Sequence, residues 1–236
     1  MFTQTPFLAS SRCAALLLSV TLLLTGCELL DHHYGDDEPE LPSTTSDDLV
    51  IVPDFIQDAD GNPPATPSTP LFETRVGAAI LTPDGYPVTL ADFSAAEGSI
   101  EVDCVQGGTR VRLDLSGLIP GGVYTMWNVP FEAPGPLPDE PDFNLSGLGA
   151  MGAVDGSQGS FTASATGTAT FEAITPGGDL SEFGKIGNCA LADEVEWHVV
   201  GAYHIDGQTH GPNLGPDGSV VEQFAFLFRG EDFSDE

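Results

Sequence analysis

The chain contains few basic residues. It has 6 lysines and arginines against 36 aspartates and glutamates, and its formal net charge at pH 7 is −30. Arg12 is the only charged residue before position 28, so five basic and 36 acidic residues remain from Cys27 onward, a net charge of −31. Nucleic-acid binding depends on lysines and arginines that neutralise phosphates. We therefore expect no nucleic-acid partner and no attraction to anionic lipid headgroups.

The excess of acidic residues has two interpretations. Carboxylates supply the oxygen ligands of calcium sites, so the acidic surface is one candidate for calcium binding. The alternative is a solvated acidic coat, whose self-repulsion is screened by salt. The acidic residues are spread along the chain rather than clustered, which favours the coat.

The N-terminal apolar run is too short to span a membrane. Ala14 to Leu24 comprises 11 residues, whereas a spanning helix needs about 20. Its length and flanks are typical of an export signal. Common enzyme motifs are also missing: the sequence has no Gly-x-Ser-x-Gly, His-Glu-x-x-His, P-loop or Cys-x-x-Cys. Catalysis is therefore not indicated, and a hydrolase of envelope polymers is retained only as a third alternative.

The apolar run leads into Leu24-Thr25-Gly26-Cys27. This stretch resembles the lipobox of bacterial lipoprotein precursors. The resemblance implies that residues 1–26 are removed as a signal peptide and that Cys27 is acylated. It also implies a protein held by lipid on the periplasmic or cell-surface side of a membrane, which it would contact through its acyl chains. More than one acyl chain is needed for stable anchoring.

Only two cysteines, Cys104 and Cys189, accompany Cys27 beyond the predicted signal. An even pair in an oxidising compartment favours a disulfide between them. The alternative is two separate buried thiols.

Residues 27–71 are predicted to form a tether. From Glu28 to Pro70 there are eleven acidic residues, seven prolines and no basic residue, so we expect a disordered, extended segment. The apolar residues 49–52 and 55–56 are exceptions, either a short strand docked on the following domain or a motif that binds a partner.

Residues 72–236 are predicted to form a single antiparallel β-sandwich or jelly roll. Apolar and polar residues alternate in many short segments separated by glycine, proline and Asp-Gly turns, which is typical of all-β domains. The segments 99–105 and 109–115 predict a hairpin in which Arg110 and Arg112 face Glu101 and Asp103. Further strands are predicted at 76–81, 88–93, 122–129, 160–165, 168–174, 195–204 and 220–228.

One segment of this domain resembles a known pattern. From Gly108 to Trp127, a strand ends in a Gly-Leu-x-Pro-Gly corner and returns as a tyrosine-bearing strand. This arrangement is similar to that of extracytoplasmic β-sandwich domains of the fibronectin-III-like and CHRD-like kinds. It supports the fold class and implies no functional residue.

The candidate chemistry lies in the histidines. His198 and His204 share a strand face about 20 Å apart, which excludes a shared ion. His204 and His210 flank an Asp206-Gly207 turn that brings them together. With Asp206 they form a candidate zinc or copper site. The alternative is that both histidines hydrogen-bond loop backbone and need no cofactor.

The long loop 131–147 is a second candidate site. Phe131, Phe143 and Leu145 either form an exposed lip that binds a partner or fold back as a lid on the sandwich. The sequence as a whole therefore predicts a lipid-anchored, extracytoplasmic β-sandwich that binds a protein or polymer ligand. A metal-binding protein is the principal alternative.

Overall fold

The structure is a computed structural model that describes residues 41–132, 144–193 and 195–229. The predicted signal peptide, Cys27, the first part of the tether and Phe143 lie outside these ranges. Within them, one α-helix is found, α1 (Leu90–Phe93), together with a 3-10 turn at Ala190–Ala192. The strands are β1 (Ser43–Ser46), β2 (Val50–Ile51), β3 (Ile56–Gln57), β4 (Phe72–Glu73), β5 (Glu97–Val105), β6 (Gly108–Ser116), β7 (Val123–Phe131), β8 (Gly149–Ala150), β9 (Ser160–Thr162), β10 (Ala169–Pro176), β11 (Gly178–Asp179), β12 (Lys185–Ile186), β13 (Glu196–His204) and β14 (Val220–Arg229).

Two antiparallel sheets contain the longer strands. The first sheet has the order β1-β5-β6-β10. The second has the order β2-β14-β13-β7-β8, and β9 also pairs with β7. Two small ribbons, β3-β4 and β11-β12, accompany them. The predicted all-β, sandwich-like fold is therefore confirmed.

The main hydrophobic core draws on both sheets. Alternate residues of a strand face opposite sides of a sheet, so each long strand contributes every second side chain. Val102 and Leu113 come from the first sheet, and Met126, Trp197 and Phe226 come from the second. All five are buried in one cluster.

The β5–β6 hairpin has the predicted register. Asp103 lies opposite Arg110, and Glu101 lies opposite Arg112. An Arg110 nitrogen lies 2.7 Å from an Asp103 oxygen, and an Arg112 nitrogen lies 3.2 Å from a Glu101 oxygen. These pairs are partly exposed, so each stabilises the hairpin by about 0.2–1 kcal/mol.

A disulfide joins Cys104 to Cys189, as predicted, across 85 residues of sequence. Cys104 belongs to β5, and Cys189 immediately precedes the 3-10 turn. The backbone N–H of Ala190 donates to Thr109 Oγ1 at 2.8 Å. The covalent bond and this hydrogen bond together fasten the turn to the first hairpin.

The second half of the predicted tether contains strands, so the prediction of disorder is wrong for residues 43–46, which lie outside the apolar exceptions 49–52 and 55–56. β1 adds to the edge of the first sheet, and β2 pairs with β14 at the edge of the second. Ile56 and Leu71 are buried in the main core. Composition averaged over the segment obscured these few apolar residues, which gain hydrogen-bond partners and burial from strands far away in sequence. The docked-strand alternative for residues 49–52 is confirmed.

Two predicted strands, at residues 88–93 and 76–81, are absent from the structure. Residues 88–93 contain α1 instead of a strand, because Thr89 and Asp92 form a capping box: each side chain bonds the other residue's backbone N–H. Residues 76–81 contain only isolated bridges, from Ala79 to Phe72 and from Leu81 to Pro87.

The outer face of the second sheet carries a smaller apolar cluster, which loops cover. Its buried members are Trp127, Ala150, Val200, Ala202, Val220 and Ala225. His204 lies at one end of this face. No helix among the described residues is both long and apolar enough to cross a membrane.

Candidate metal centre

His204, the last residue of β13, is completely buried, with 0% of its surface exposed. Side chains alternate across the strand, so Tyr203 packs in the main core while Ala202 joins the outer cluster. His204 follows the same alternation and lies on the outer face. The strand pattern thus places an imidazole inside the protein, where both ring nitrogens need a partner.

A tight turn brings His210 back to His204. The Gly207 N–H donates to the His204 carbonyl at 3.1 Å, and the Gln208 N–H donates to Asp206 Oδ1 at 3.0 Å. Gly207 has a φ of 70°, which glycine adopts without steric cost. The two imidazole centroids lie 5.6 Å apart. The predicted juxtaposition of the two histidines is therefore present.

Asp206 completes the cluster. One potential ligand atom from each of His204, Asp206 and His210 lies within 4.8 Å of the other two. Tetrahedral zinc with bonds of about 2.0–2.1 Å separates its nitrogen and oxygen ligands by roughly 3.4 Å. Asp206 and His210 are partly exposed, with side-chain exposures of 32% and 21%. Asp206, the more exposed of the two, is therefore the member with most room to rotate towards an ion.

The two nitrogens of His204 have different surroundings. Nε2 lies 2.7 Å from Thr125 Oγ1, and Thr125 Oγ1 lies 2.9 Å from Ser160 Oγ. Nδ1 is buried and has no hydrogen-bond partner among the described residues. A buried polar atom without a partner costs about 1–3 kcal/mol. His204 therefore carries an unpaired potential ligand atom, in a residue that clusters with two further potential ligands.

His210 is held from two sides. Its Nε2 lies 3.0 Å from Asp206 Oδ2. The backbone of Gly215 packs so closely against the ring that a Cβ at Gly215 would lie 2.3 Å from His210 Cδ2. Any side chain at position 215 would displace the imidazole. Among the described residues, this ring is thus hydrogen-bonded to a carboxylate rather than to loop backbone.

Burial keeps the His204 ring neutral. It lowers the pKa of His204 to about 4, His210 acts in the same direction, and Asp206 opposes both. A neutral imidazole is the form that binds metal ions. At neutral pH, His204 is therefore in the ligand form without losing a proton.

His198 lies outside this cluster, as predicted. Its Nε2 lies 2.6 Å from Glu196 Oε1, and the other oxygen of Glu196 lies 3.2 Å from Arg229 Nε. Burial lowers the pKa of His198, against the opposing effect of Glu196. The Phe131 ring packs against His198 with centroids 4.8 Å apart. Glu196, 2% exposed, thus bridges two basic groups at the far end of β13.

The predicted binding lip is not exposed at Phe131. Phe131 is the last residue of β7, is 7% exposed, and forms an isolated antiparallel bridge with Leu145. Leu145 is half-buried. Phe131 therefore belongs to the second sheet, and Leu145 is bridged to it. The lip and the lid both stay predictions for the loop. Phe143 lies outside the described residues.

The sequence alone does not reveal that Thr125, Ser160 and Gly215 adjoin the histidines. Thr125 and Ser160 lie on β7 and β9, some 79 and 44 positions before His204. The one available signal was a hydroxyl residue between the apolar Tyr124 and Met126. That signal does not reveal which residue the hydroxyl meets.

No family model, curated protein or solved structure matches the chain.

Proposed function

We propose that this protein binds one divalent transition-metal ion, zinc or copper, through His204, Asp206 and His210. The β-sandwich that carries the site is held outside the cytoplasm by lipid on Cys27. The observation that carries the metal proposal is that His204, whose buried Nδ1 has no partner among the described residues, clusters with two further potential ligands. A bound ion would satisfy this atom, which hydrogen bonds among the described residues leave unpaired.

The kinds of ligand indicate the kind of ion. Two imidazoles and one carboxylate suit zinc and copper, whereas magnesium and calcium prefer sites made of oxygen atoms alone. Three protein ligands leave a fourth position for water or an exogenous ligand. The net charge of −30 supports the proposal because an acidic protein raises the local concentration of cations.

The location rests on separate observations. The lipobox resemblance at Leu24-Thr25-Gly26-Cys27 supports acylation. The Cys104–Cys189 disulfide supports an oxidising, extracytoplasmic compartment. These observations concern where the protein resides and do not depend on the metal site.

The metal proposal is tested by stoichiometry. The full chain, purified in detergent and stripped with a chelator, is titrated with zinc and with copper(II), and bound metal is measured by mass spectrometry. We expect one ion per chain in the wild type. We expect loss of binding in Asp206→Asn and His210→Gln, which alter partly exposed side chains, and in His204→Ala.

His198→Gln is the matched control, because it removes a histidine from the same strand outside the cluster. This variant should retain one ion per chain. A wild type without stoichiometric metal, or equal loss of metal in His198→Gln and His210→Gln, would contradict the proposal.

A further inference from the structure

We infer that Thr125 is a positioning residue that fixes the tautomer of His204, so that the ring binds metal through Nδ1. This inference rests on the proposed metal-binding function. It identifies the nitrogen of His204 that binds the metal. It also identifies the residues, remote in sequence, whose hydrogen bonds keep that nitrogen unprotonated. The hydroxyl of Ser160 completes the arrangement.

Strand register sets the contact between the two side chains. Thr125 in β7 lies opposite Ala202 in β13, two residues before His204 on the same face. Thr125 is 1% exposed, so water cannot replace its hydroxyl as the partner of the ring. Its Oγ1 lies 2.7 Å from His204 Nε2, a good hydrogen-bond distance.

The chemistry of imidazole links the two ring nitrogens. A neutral ring carries one proton, so a nitrogen that donates a hydrogen bond leaves a lone pair on the other nitrogen. If Nε2–H donates to Thr125 Oγ1, Nδ1 has its lone pair free to bind an ion. Metal-bound histidines commonly donate their other N–H in this way, which orients the ring and raises its basicity.

Ser160 supplies the acceptor that the inferred direction of the bond requires. A threonine hydroxyl donates one hydrogen bond and accepts others. Ser160 Oγ, 2.9 Å from Thr125 Oγ1, is positioned to accept the threonine proton. Thr125 then presents lone pairs to His204 and accepts the proton on Nε2. In the inferred arrangement, the hydrogen bonds run from His204 to Thr125 to Ser160, and Nδ1 of His204 has no hydrogen-bond partner among the described residues.

The inference is tested with zinc and four forms of the full chain in detergent: wild type, Thr125→Val, Thr125→Ser and Thr109→Val. Valine keeps the shape of threonine but removes the hydroxyl, whereas serine retains it. Thr109 is the matched control, because it is also 1% exposed on a strand and its hydroxyl also accepts a buried hydrogen bond, from Ala190. Zinc affinity is measured by competition with a chromophoric chelator.

We expect Thr125→Val to weaken zinc binding by about 10- to 100-fold, the usual effect of removing a residue that supports a ligand. Thr125→Ser should recover most of the affinity, and Thr109→Val should bind zinc like the wild type. Long-range ¹H–¹⁵N spectra of histidine-labelled protein should show zinc on Nδ1 of His204 and a retained proton on Nε2.

The outcomes separate this inference from the proposed function. A wild type that binds no zinc overturns both. Zinc on Nε2, or unchanged affinity in Thr125→Val, overturns the role of Thr125 and leaves the metal site in place. An equal loss of affinity in Thr109→Val also overturns it, because the effect would then reflect general destabilisation.

Discussion

A completely buried histidine needs partners for two ring nitrogens. His204 has one, Thr125, for Nε2, and none among the described residues for Nδ1. Folding alone would favour an apolar residue here, since Val200 and Ala202 occupy equivalent positions on the same face of β13. An ion bound as proposed would offset the desolvation of this imidazole.

Zinc should stabilise the wild type and leave His210→Gln unaffected. A ligand that binds only the folded state adds about 2.7 kcal/mol when its concentration is 100 times its Kd. We expect this increase in the free energy of unfolding for the wild type, measured by chemical denaturation of the full chain with and without zinc. An equal increase in His210→Gln would show that zinc acts elsewhere.

His198 should titrate below the ordinary histidine pKa of about 6.5, because burial disfavours its charged form. Between the two pKa values the unfolded chain binds more protons than the folded chain. The stability contributed by neutral His198 is therefore fully present above pH 6.5 and is lost as the pH falls towards the folded-state pKa.

Histidine NMR titrations and denaturation at pH 7.5 and 5.5 measure both effects. His198→Gln should lose part of the pH dependence of stability. A midpoint at or above 6.5 for His198 would refute this prediction.

At the scale of elements, connections between distant segments hold the domain together. β1 and β2 come from the acidic, proline-containing segment and lie at the edges of different sheets. The disulfide ties the 3-10 turn to β5. Both connections join pieces that have little intrinsic stability as isolated peptides.

Replacing both Cys104 and Cys189 with serine should lower the free energy of unfolding by about 4–5 kcal/mol, the chain-entropy value for a loop of this length. The reason is that the cross-link restricts the unfolded chain across a separation of 85 residues. Urea denaturation of the double variant gives the measurement. Reduced wild type should match the double variant, and a loss below about 1 kcal/mol would contradict the loop model.

Ile56→Ala should destabilise the domain by about 2–5 kcal/mol, the usual cost of truncating a buried isoleucine. Ile56 is 4% exposed and belongs to the main core. Leu41→Ala is the control from the same segment, because Leu41 is 51% exposed and should change stability by less than about 0.5 kcal/mol. Equal, small effects in both variants would mean that β3 contributes little to folding.

At the scale of the whole molecule, charge and attachment act together. The acidic surface offers anionic headgroups no attraction. In the proposed arrangement, membrane attachment therefore depends on the acyl chains of Cys27. Each buried methylene contributes about 0.8 kcal/mol, and stable attachment needs more than one chain.

Cys27→Ser should release the protein from the membrane fraction, because it removes the proposed acylation site. Cys13→Ser is the control, since Cys13 lies within the predicted signal peptide and should leave attachment intact. Cell fractionation and the intact mass of the mature chain measure the outcome. Membrane retention of Cys27→Ser with an unchanged mature mass would refute lipid anchoring.

Local pattern was sufficient where the relevant partners are close in sequence. Alternation predicted the β5–β6 hairpin, whose strands are separated by a two-residue turn. It also predicted that Arg110 faces an acidic residue, and Arg110 pairs with Asp103. The short spacing around Asp206-Gly207 predicted that His204 and His210 meet. The α1 capping box is equally local, because Thr89 and Asp92 are three residues apart. The apolar residues of segment 88–93 nevertheless led to the prediction of a strand there.

By itself, the sequence predicted the all-β class, favoured a bond between the two cysteines and predicted the proximity of the two histidines, because composition, the even number of cysteines and the short loop constrain these features. Only the tertiary structure decided which edges β1 and β2 join, and that Thr125 contacts His204 across 79 positions of sequence. Such contacts depend on which strands become neighbours. That choice is made by packing of the whole core, and no short stretch of sequence contains it.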